Sequence, residues 1–336
     1  MTLRVAVCLL SGLGAITAQD SSFRVQTNVV QVPVIVTENG RHVDGLVARD
    51  FEVLDDGIPQ RATIDDFNSG LAPISLAIAV QTAGVSTSAL ARIRRIGGMI
   101  QPLITGLAGE TAVLTFDSRI QWLQDFTPDD EKIRDAVKNL RAGSAMKQAR
   151  MLDAIVAAAY RMQRRKGRKV LLLVSESRDR GSETEFQQAL EAVGRPGIEV
   201  FGAHYSASGT NWNAKSEDLP DLPPPVISGN PSDWPGSSPT VNFLAIFDEV
   251  GRHGKTNAIQ ALTRLTGGAD YRFTKERGIE NAIEDLGVEV HSQYILSFPQ
   301  PKNGTGLHRI EVLAPNHADF VIRSRRTYWA DRSDAQ

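Results

Sequence analysis

Three carboxylates stand where a chain of this pattern turns from one element to the next: Asp153, Glu176 and Asp179. Gathered in one cleft with raised pKa values, they would form an acid–base set suited to hydrolysis. No other residues group that way. The sequence has no G-x-S-x-G elbow, no H-E-x-x-H pair, no Walker loop and no G-x-G-x-x-G after a strand. Its six histidines (42, 204, 253, 291, 308 and 317) are scattered, without an i, i+4 pair to grip a metal. His204, at the end of an apolar run, reads as a sheet-end or core histidine rather than a base. The basic run "RMQRRKGRK" (161–169) would suit an anion or nucleic-acid site on one reading. On the other it ends a helix, where cations complement the last carbonyls, with Gly167 as the residue just past the end. The second reading is preferred, and the chain is expected not to be an enzyme.

The elements that must position these residues begin at "ISLAIAVQTAGVS" (74–86). Residues 74–80 are apolar on both faces, which suits a parallel-sheet strand covered on both sides. Apolar positions 90, 93, 96, 100 and 103 predict a helix over 86–107. Strands are predicted at 111–116, 169–175 and 198–206, and helices at 128–140, 151–165, 183–194, 257–268 and 278–290. Alternation at this spacing predicts a doubly wound, mostly parallel α/β domain over 72–290. Residues 206–240, rich in Pro, Gly and Ser, interrupt it as a long loop carrying Trp212 and Trp234. Those tryptophans either pin the loop to the body or wait for a partner.

Both ends of the chain read as β. "VVQVPVIV" (29–36) alternates and meets the turn signal Glu38-Asn39-Gly40, and Asp55-Asp56-Gly57 marks a hairpin. Three further strands are predicted after 290. Residues 23–69 and 291–330 together are expected to form one small β-sandwich that carries the α/β domain as an insertion.

The bulk numbers agree with two domains: 336 residues, 41% hydrophobic and 23% charged, with a formal charge of −2 that argues against a nucleic-acid surface. Residues 1–18 combine Arg4, an apolar stretch from Val5 to Ile16 and a small-residue end at Ala18. That is the layout of a signal peptide, although a short anchor or a buried first strand has a similar composition. Export to the periplasm, envelope or exterior is the expectation. The single cysteine, Cys8, lies in this segment, so the mature chain would have no disulfide or zinc–thiolate site. No later apolar run is long enough to span a membrane.

This order resembles the von Willebrand factor A-like domains, and more closely the secreted bacterial VWFA-related family found in Acidobacteria. The residues that carry the likeness are "VPVIVTENGRHVDGLVARDFEVLDDGIPQ" (32–60), "TGGADYRF" (266–273), "SQYILSF" (292–298) and "RSRRTYWA" (323–330). The resemblance implies a metal-ion-dependent adhesion site at the carboxyl ends of the strands, built from Asp-x-Ser-x-Ser, a threonine and a later aspartate. Mg²⁺ wants about six oxygens in near-octahedral order, and such a set leaves one position for a partner's carboxylate. Matched by position, this chain departs from the pattern. Gln81 stands at the first aspartate, Ala83 and Val85 at the serines, Ala149 at the threonine and Glu176 at the later aspartate. Asp153 and Asp179 match other acidic positions of the family and read as helix-start and loop residues. The site is therefore expected to be degenerate, without bound Mg²⁺ or Mn²⁺, although a rebuilt site using Ser86, Ser88, Asp153, Glu176 and Asp179 is conceivable.

The implied function is an exported protein-interaction module that binds a protein partner without a metal. Thr82, Ser86, Ser88, Ser144, Glu176, Asp179, Trp212 and Trp234 are the expected partner-binding residues. The alternative is an envelope scaffold whose sandwich edge pairs with a neighbour.

Overall fold

The computed structural model describes residues 29–64, 72–85, 87–143, 148–175, 179–205, 258–273, 277–301 and 305–331. Residues 1–18, the segment 206–240 with Trp212 and Trp234, and Ser86, Ser144 and Glu176 fall outside them, and of Ser88 only the backbone is described.

The N-terminal strands are β1 (Val29–Glu38), β2 (Arg41–His42), β3 (Glu52–Asp55), β4 (Ile58–Gln60) and β5 (Thr63–Ile64). The turn between β3 and β4 needs two left-handed residues, and Asp56 (φ 49°) and Gly57 (φ 82°) supply them. The middle of the chain forms β6 (Ile74–Gln81), β7 (Glu110–Phe116), β8 (Ile120–Thr127), β9 (Arg168–Ser175), β10 (Glu199–Tyr205) and β11 (Asp270–Phe273). The last strands are β12 (Tyr294–Pro299), β13 (Gly306–Leu313), β14 (Val321–Ser324) and β15 (Thr327–Ala330). The helices are α1 (Thr87–Ile93), α2 (Asp130–Lys138), α3 (Met151–Met162), α4 (Phe186–Gly194), α5 (258–266) and α6 (Gly278–His291).

The central sheet runs β11-β10-β9-β6-β7-β8, with every pairing parallel except β7 with antiparallel β8. Counted within this sheet, the order is 3-2-1-4-5-6, doubly wound with its switch point between β6 and β9. β6 is buried at all eight positions. Its Ile74, Leu76, Ile78 and Val80 pack with α1, α2 and α6, while Ala77 and Ala79 face the alanine-rich side of α3 together with α4 and α5. Large residues on one side and small ones on the other set two helix layers at different distances from the same strand.

Several sequence expectations need correction. The single helix over 86–107 is broken: α1 gives way to a 3₁₀ turn at Arg94–Gly98 and a π turn at Gln101–Thr105. A methyl group at Gly97 would lie 3.2 Å from Arg134 Cα and Val137 Cβ of α2, so close helix approach explains the glycine there. β8 was not expected, because "IQWLQDFT" carries polar residues on a half-exposed edge. The long run "DFVIRSRRTYWA" is two strands, β14 and β15, divided at Arg325-Arg326. Gly167 does not end α3, which stops at Met162; its positive φ of 78° serves the turn into β9 beneath the Pro73 carbonyl. The basic run before it acts inside the fold. Arg161 stacks on Trp122 and pairs with Asp125 at 2.8 Å, and Arg165 stacks on Phe126 and pairs with Glu110 at 3.0 Å, clamping edge strand β8.

Strands from both ends form two antiparallel sheets, β14-β1-β12-β5 and β15-β13-β3-β4, with β2 paired to β1. Val32, Val34, Leu296 and Phe298 of the first share one core with Val53, Ile310 and Tyr328 of the second. This pair of sheets meets the amino-terminal end of the central sheet. There Arg168 is buried, donating to the Val290 carbonyl at 2.6 Å, to Glu199 at 3.0 Å and to the Gln293 side-chain oxygen. Gln293 in turn donates to Glu199 at 2.9 Å.

A second polar knot closes the sandwich. The His308 ring lies 3.2 Å from Asp55 and 3.0 Å from Asp56, and Tyr328 donates to Asp55 at 2.8 Å. Hydrogen bonds to Asp55 and then Asp56 raise the His308 pKa to about 9, outweighing burial. An unfolded histidine titrates near 6.5. The stability contributed by this imidazolium is therefore complete below about pH 6.5 and is lost as pH rises through about 9. Urea denaturation from pH 6 to 9.5 should show stability declining across that window, and His308→Gln should flatten the decline. A wild-type profile that stays level would show that the imidazolium contributes nothing.

Candidate functional site

The carboxyl ends of β6 and β9 diverge at the switch point, where open α/β sheets bind their ligands. Four loops meet there: the one after β6, the β7–β8 hairpin, the segment before α3 and the segment after β9.

After β6 the chain turns inward. Gln81 is buried, and its amide donates to the Ala83 carbonyl at 3.0 Å. Ala83 and Val85 are buried too, and Val85 joins the core with α1. Apolar packing thus occupies the positions at which the family pattern puts hydroxyl ligands. Thr82 is buried as well; its N–H donates to the Phe116 carbonyl at 3.0 Å, and its carbonyl accepts from Gly143 at 3.1 Å. A Cβ on Gly143 would come within 2.6 Å of both Thr82 Oγ1 and Asp117 Oδ2, so only glycine lets these loops close up. Thr82 consequently offers a partner little surface.

Ala149 is buried and pairs its backbone with Arg180 through two hydrogen bonds of 2.9 Å. This bridge holds the segment after β9 against the start of α3. Asp179 Oδ1 accepts from Met151 N at 2.9 Å, Leu152 N at 3.1 Å and the Ser182 hydroxyl at 2.5 Å. Arg150 precedes the helix and provides no side-chain cap, so Asp179 caps α3 from another loop. Asp153 reaches back the other way. It accepts from Thr184 N at 2.9 Å, Glu183 N at 3.3 Å and Arg150 Nε at 2.6 Å. Burial would raise the Asp153 pKa, but the bonds from Thr184, Arg150 and Glu183 together hold it below the ordinary aspartate value. A hydrolytic role needs the opposite shift.

The two aspartates do come together, one at each side of Ser182, whose hydroxyl also accepts from Asp153 N at 3.2 Å. They come together as reciprocal caps. Among the described residues, these positions do not fit an octahedral cation, because the hydroxyls are replaced by core side chains and the carboxylates already accept N–H groups. Three His or carboxylate ligand atoms gather within 4.8 Å at Asp55, Asp56 and His308, in the sandwich, where a proton on the imidazole already serves as the counter-charge. His204 is buried at the end of β10, its ring 2.5 Å from Asp270 Oδ1 of neighbouring β11. Exposed side chains of the described rim include Arg119 in the β7–β8 hairpin, Arg141 and Gln148 before α3, and Arg180 and Glu183 after β9.

The Asp179 cap could not be read from sequence, because the acceptor lies 28 residues from the N–H group it serves. Asp179→Ala should lower stability by about 0.5–2 kcal/mol, the range for a lost helix cap. Urea denaturation would measure it, and Asp179→Asn, which keeps one acceptor oxygen, should lose less. Equal stability of Asp179→Ala and wild type would remove the aspartate from this role.

No protein-family model matches the sequence, and no curated protein matches it. The fold is similar to an aerotolerance-related membrane protein from Bacteroides fragilis at 16% identity, covering 64% of this chain and 99% of that one with a TM-score of 0.41. It is similar to BatB, a conserved hypothetical protein from Bacteroides thetaiotaomicron, at 14% identity over 65% of this chain and 98% of that one, TM-score 0.41. It is also similar to the vWF domain of the type V pili tip protein Mfa5 from Porphyromonas gingivalis at 16% identity, covering 33% and 40%, TM-score 0.28. Likeness at this level bears on neither activity nor partners, and the strand order itself carries the α/β assignment.

Proposed function

We propose that this chain is an exported, non-enzymatic protein-interaction module that docks a protein partner on the switch-point rim without a bridging metal. One observation supports the reading above the rest. The rim turns Asp153 and Asp179 inward as helix and loop caps and leaves Arg119 and Arg141 exposed. A cation-dependent adhesion site would hold a partner's carboxylate on its metal ion. Here guanidinium groups stand ready for the same carboxylate, with two parallel N–H donors each. The partner is accordingly a protein with an acidic patch. Export rests on the leader pattern of residues 1–18.

The test is capture from the organism's own envelope extract by the exported chain. Capture should survive EDTA, weaken with salt, and be lost in Arg119→Glu/Arg141→Glu with the circular dichroism spectrum unchanged. Capture abolished by EDTA, or indifferent to the two reversals, would overturn the reading.

The scaffold alternative has an observation of its own: Val321 of β14 and Ile58 of β4, on edge strands of the two sandwich sheets, are 66% and 64% exposed. Capture lost in Val321→Lys/Ile58→Lys, and kept in the arginine reversals, would favour edge pairing instead.

A further inference from the structure

The seam between the sandwich and the amino-terminal end of the central sheet is not closed. It holds a cavity of about 330 Å³, at the lower end of the size range of small-molecule sites. Four cations line it, Arg168, Lys169, Arg195 and Arg325, against two carboxylates, Glu199 and Asp331. The balance is less even than that count suggests. Arg195 is satisfied by Asp331 and by Glu191 at 2.7 Å, and it stacks over Trp329. Arg168 holds Glu199 directly. That leaves Arg325 and Lys169.

Arg325 is 4% exposed, and among the described residues its buried Nε has no hydrogen-bond partner. Its guanidinium reaches past Gly197, where a Cβ would lie 3.2 Å from Nη1. Burial lowers its pKa, countered only by the charge of Glu199, which Arg168 already holds. Lys169 makes no ion pair among the described residues, and burial, then the charge of Arg325, pull its pKa down. The carboxyl ends of α4 and α6 point toward this seam, but their partial charges are modest, and the Val290 carbonyl of α6 is taken by Arg168. Burying an unpaired cation costs several kcal/mol. Buried Arg325 and half-buried Lys169, both lining the cavity, leave positive charge there that a small anion would balance.

We propose that this cavity binds a small, doubly charged oxyanion of the phosphate class, held by Arg325 and Lys169 with Arg168 behind them. Arg325 presents planar donors suited to a phosphate edge, and Lys169 adds a point charge. The remaining volume, walled by Tyr328 and Trp329, leaves room for the organic part of a phosphate monoester. The bound anion would join β9 of the central sheet to the β14–β15 corner of the sandwich, stiffening the seam. This site lies on the face opposite the rim proposed to bind protein, and neither reading depends on the other.

The experiment is thermal melting of the full chain at pH 7 in sodium phosphate, in glycerol 3-phosphate and in sodium chloride at matched ionic strength. Ligand at about ten times its dissociation constant should raise the melting temperature by about 2–4 °C over the chloride arm. The rise should saturate, and it should vanish in Lys169→Met and in Arg325→Met. A rise with inorganic phosphate but not with the ester would confine the site to the free ion. If Arg325→Met does not fold, Lys169→Met decides alone. No rise above chloride, or an equal rise in wild type and Lys169→Met, would overturn the proposal.

Discussion

The contact between Arg168 and Glu199 sets where everything else can be. Both side chains are buried at the feet of adjacent parallel strands, and a buried ion pair is tolerable only when its remaining donors and acceptors are bonded. The partners that satisfy it, the Val290 carbonyl and the Gln293 side chain, lie where α6 ends and β12 is about to begin. One polar cluster therefore fixes the point at which the chain leaves the helical layers and enters the sandwich. Arg323 reinforces the join from the other side, donating to the Gly268 carbonyl at 2.7 Å and pairing with Glu289 at 2.7 Å.

That anchoring assigns different work to the two ends of the central sheet. The amino-terminal end is covered by the sandwich, so its polar groups must be paired or must enclose something that pairs them. Among the described residues, the carboxyl-terminal end meets only its own loops. There the chain meets the same demand with short-range geometry: Asp179 caps α3, Asp153 collects the N–H groups of 183 and 184, and the Ala149–Arg180 bridge fastens both segments. These contacts join the described rim segments through the protein's own hydrogen bonds. The positions that diverge from the adhesion-site pattern are not idle, because Val85 fills core and Gln81 closes its own turn.

The sequence reveals this architecture unevenly, for physical reasons. β6 and β9 were legible because a strand covered on both faces must be apolar throughout, and the β3–β4 hairpin because Asp56-Gly57 accepts left-handed backbone at little cost. β8 escaped notice because half of an edge strand faces water, and what stabilises it is a pair of arginines from α3 and the loop beyond it stacked on its aromatics. The break after α1 was hidden because Leu90, Ile93, Ile96 and Ile100 keep helical spacing through it, and only the approach of α2 to Gly97 distinguishes the two cases. At the rim, the apolar side chains at Ala83 and Val85 could be read directly. The reuse of Asp153 and Asp179 as caps could not, since each bonds to a segment roughly 30 residues away.

A formal charge of −2 says little about what either face attracts. Of the carboxylates near each face, Asp153 and Asp179 beneath the rim and Glu199 in the seam are turned inward, while Glu183 and Asp331 stay exposed and pair with Arg150 and Arg195. An acid that accepts backbone N–H groups or holds a buried arginine projects little field outward. The cations left over, on the rim and along the seam, are then the groups an approaching molecule meets. Pairing of the acids, rather than an excess of bases, is what both proposed sites for negative charge rest on in a nearly neutral chain.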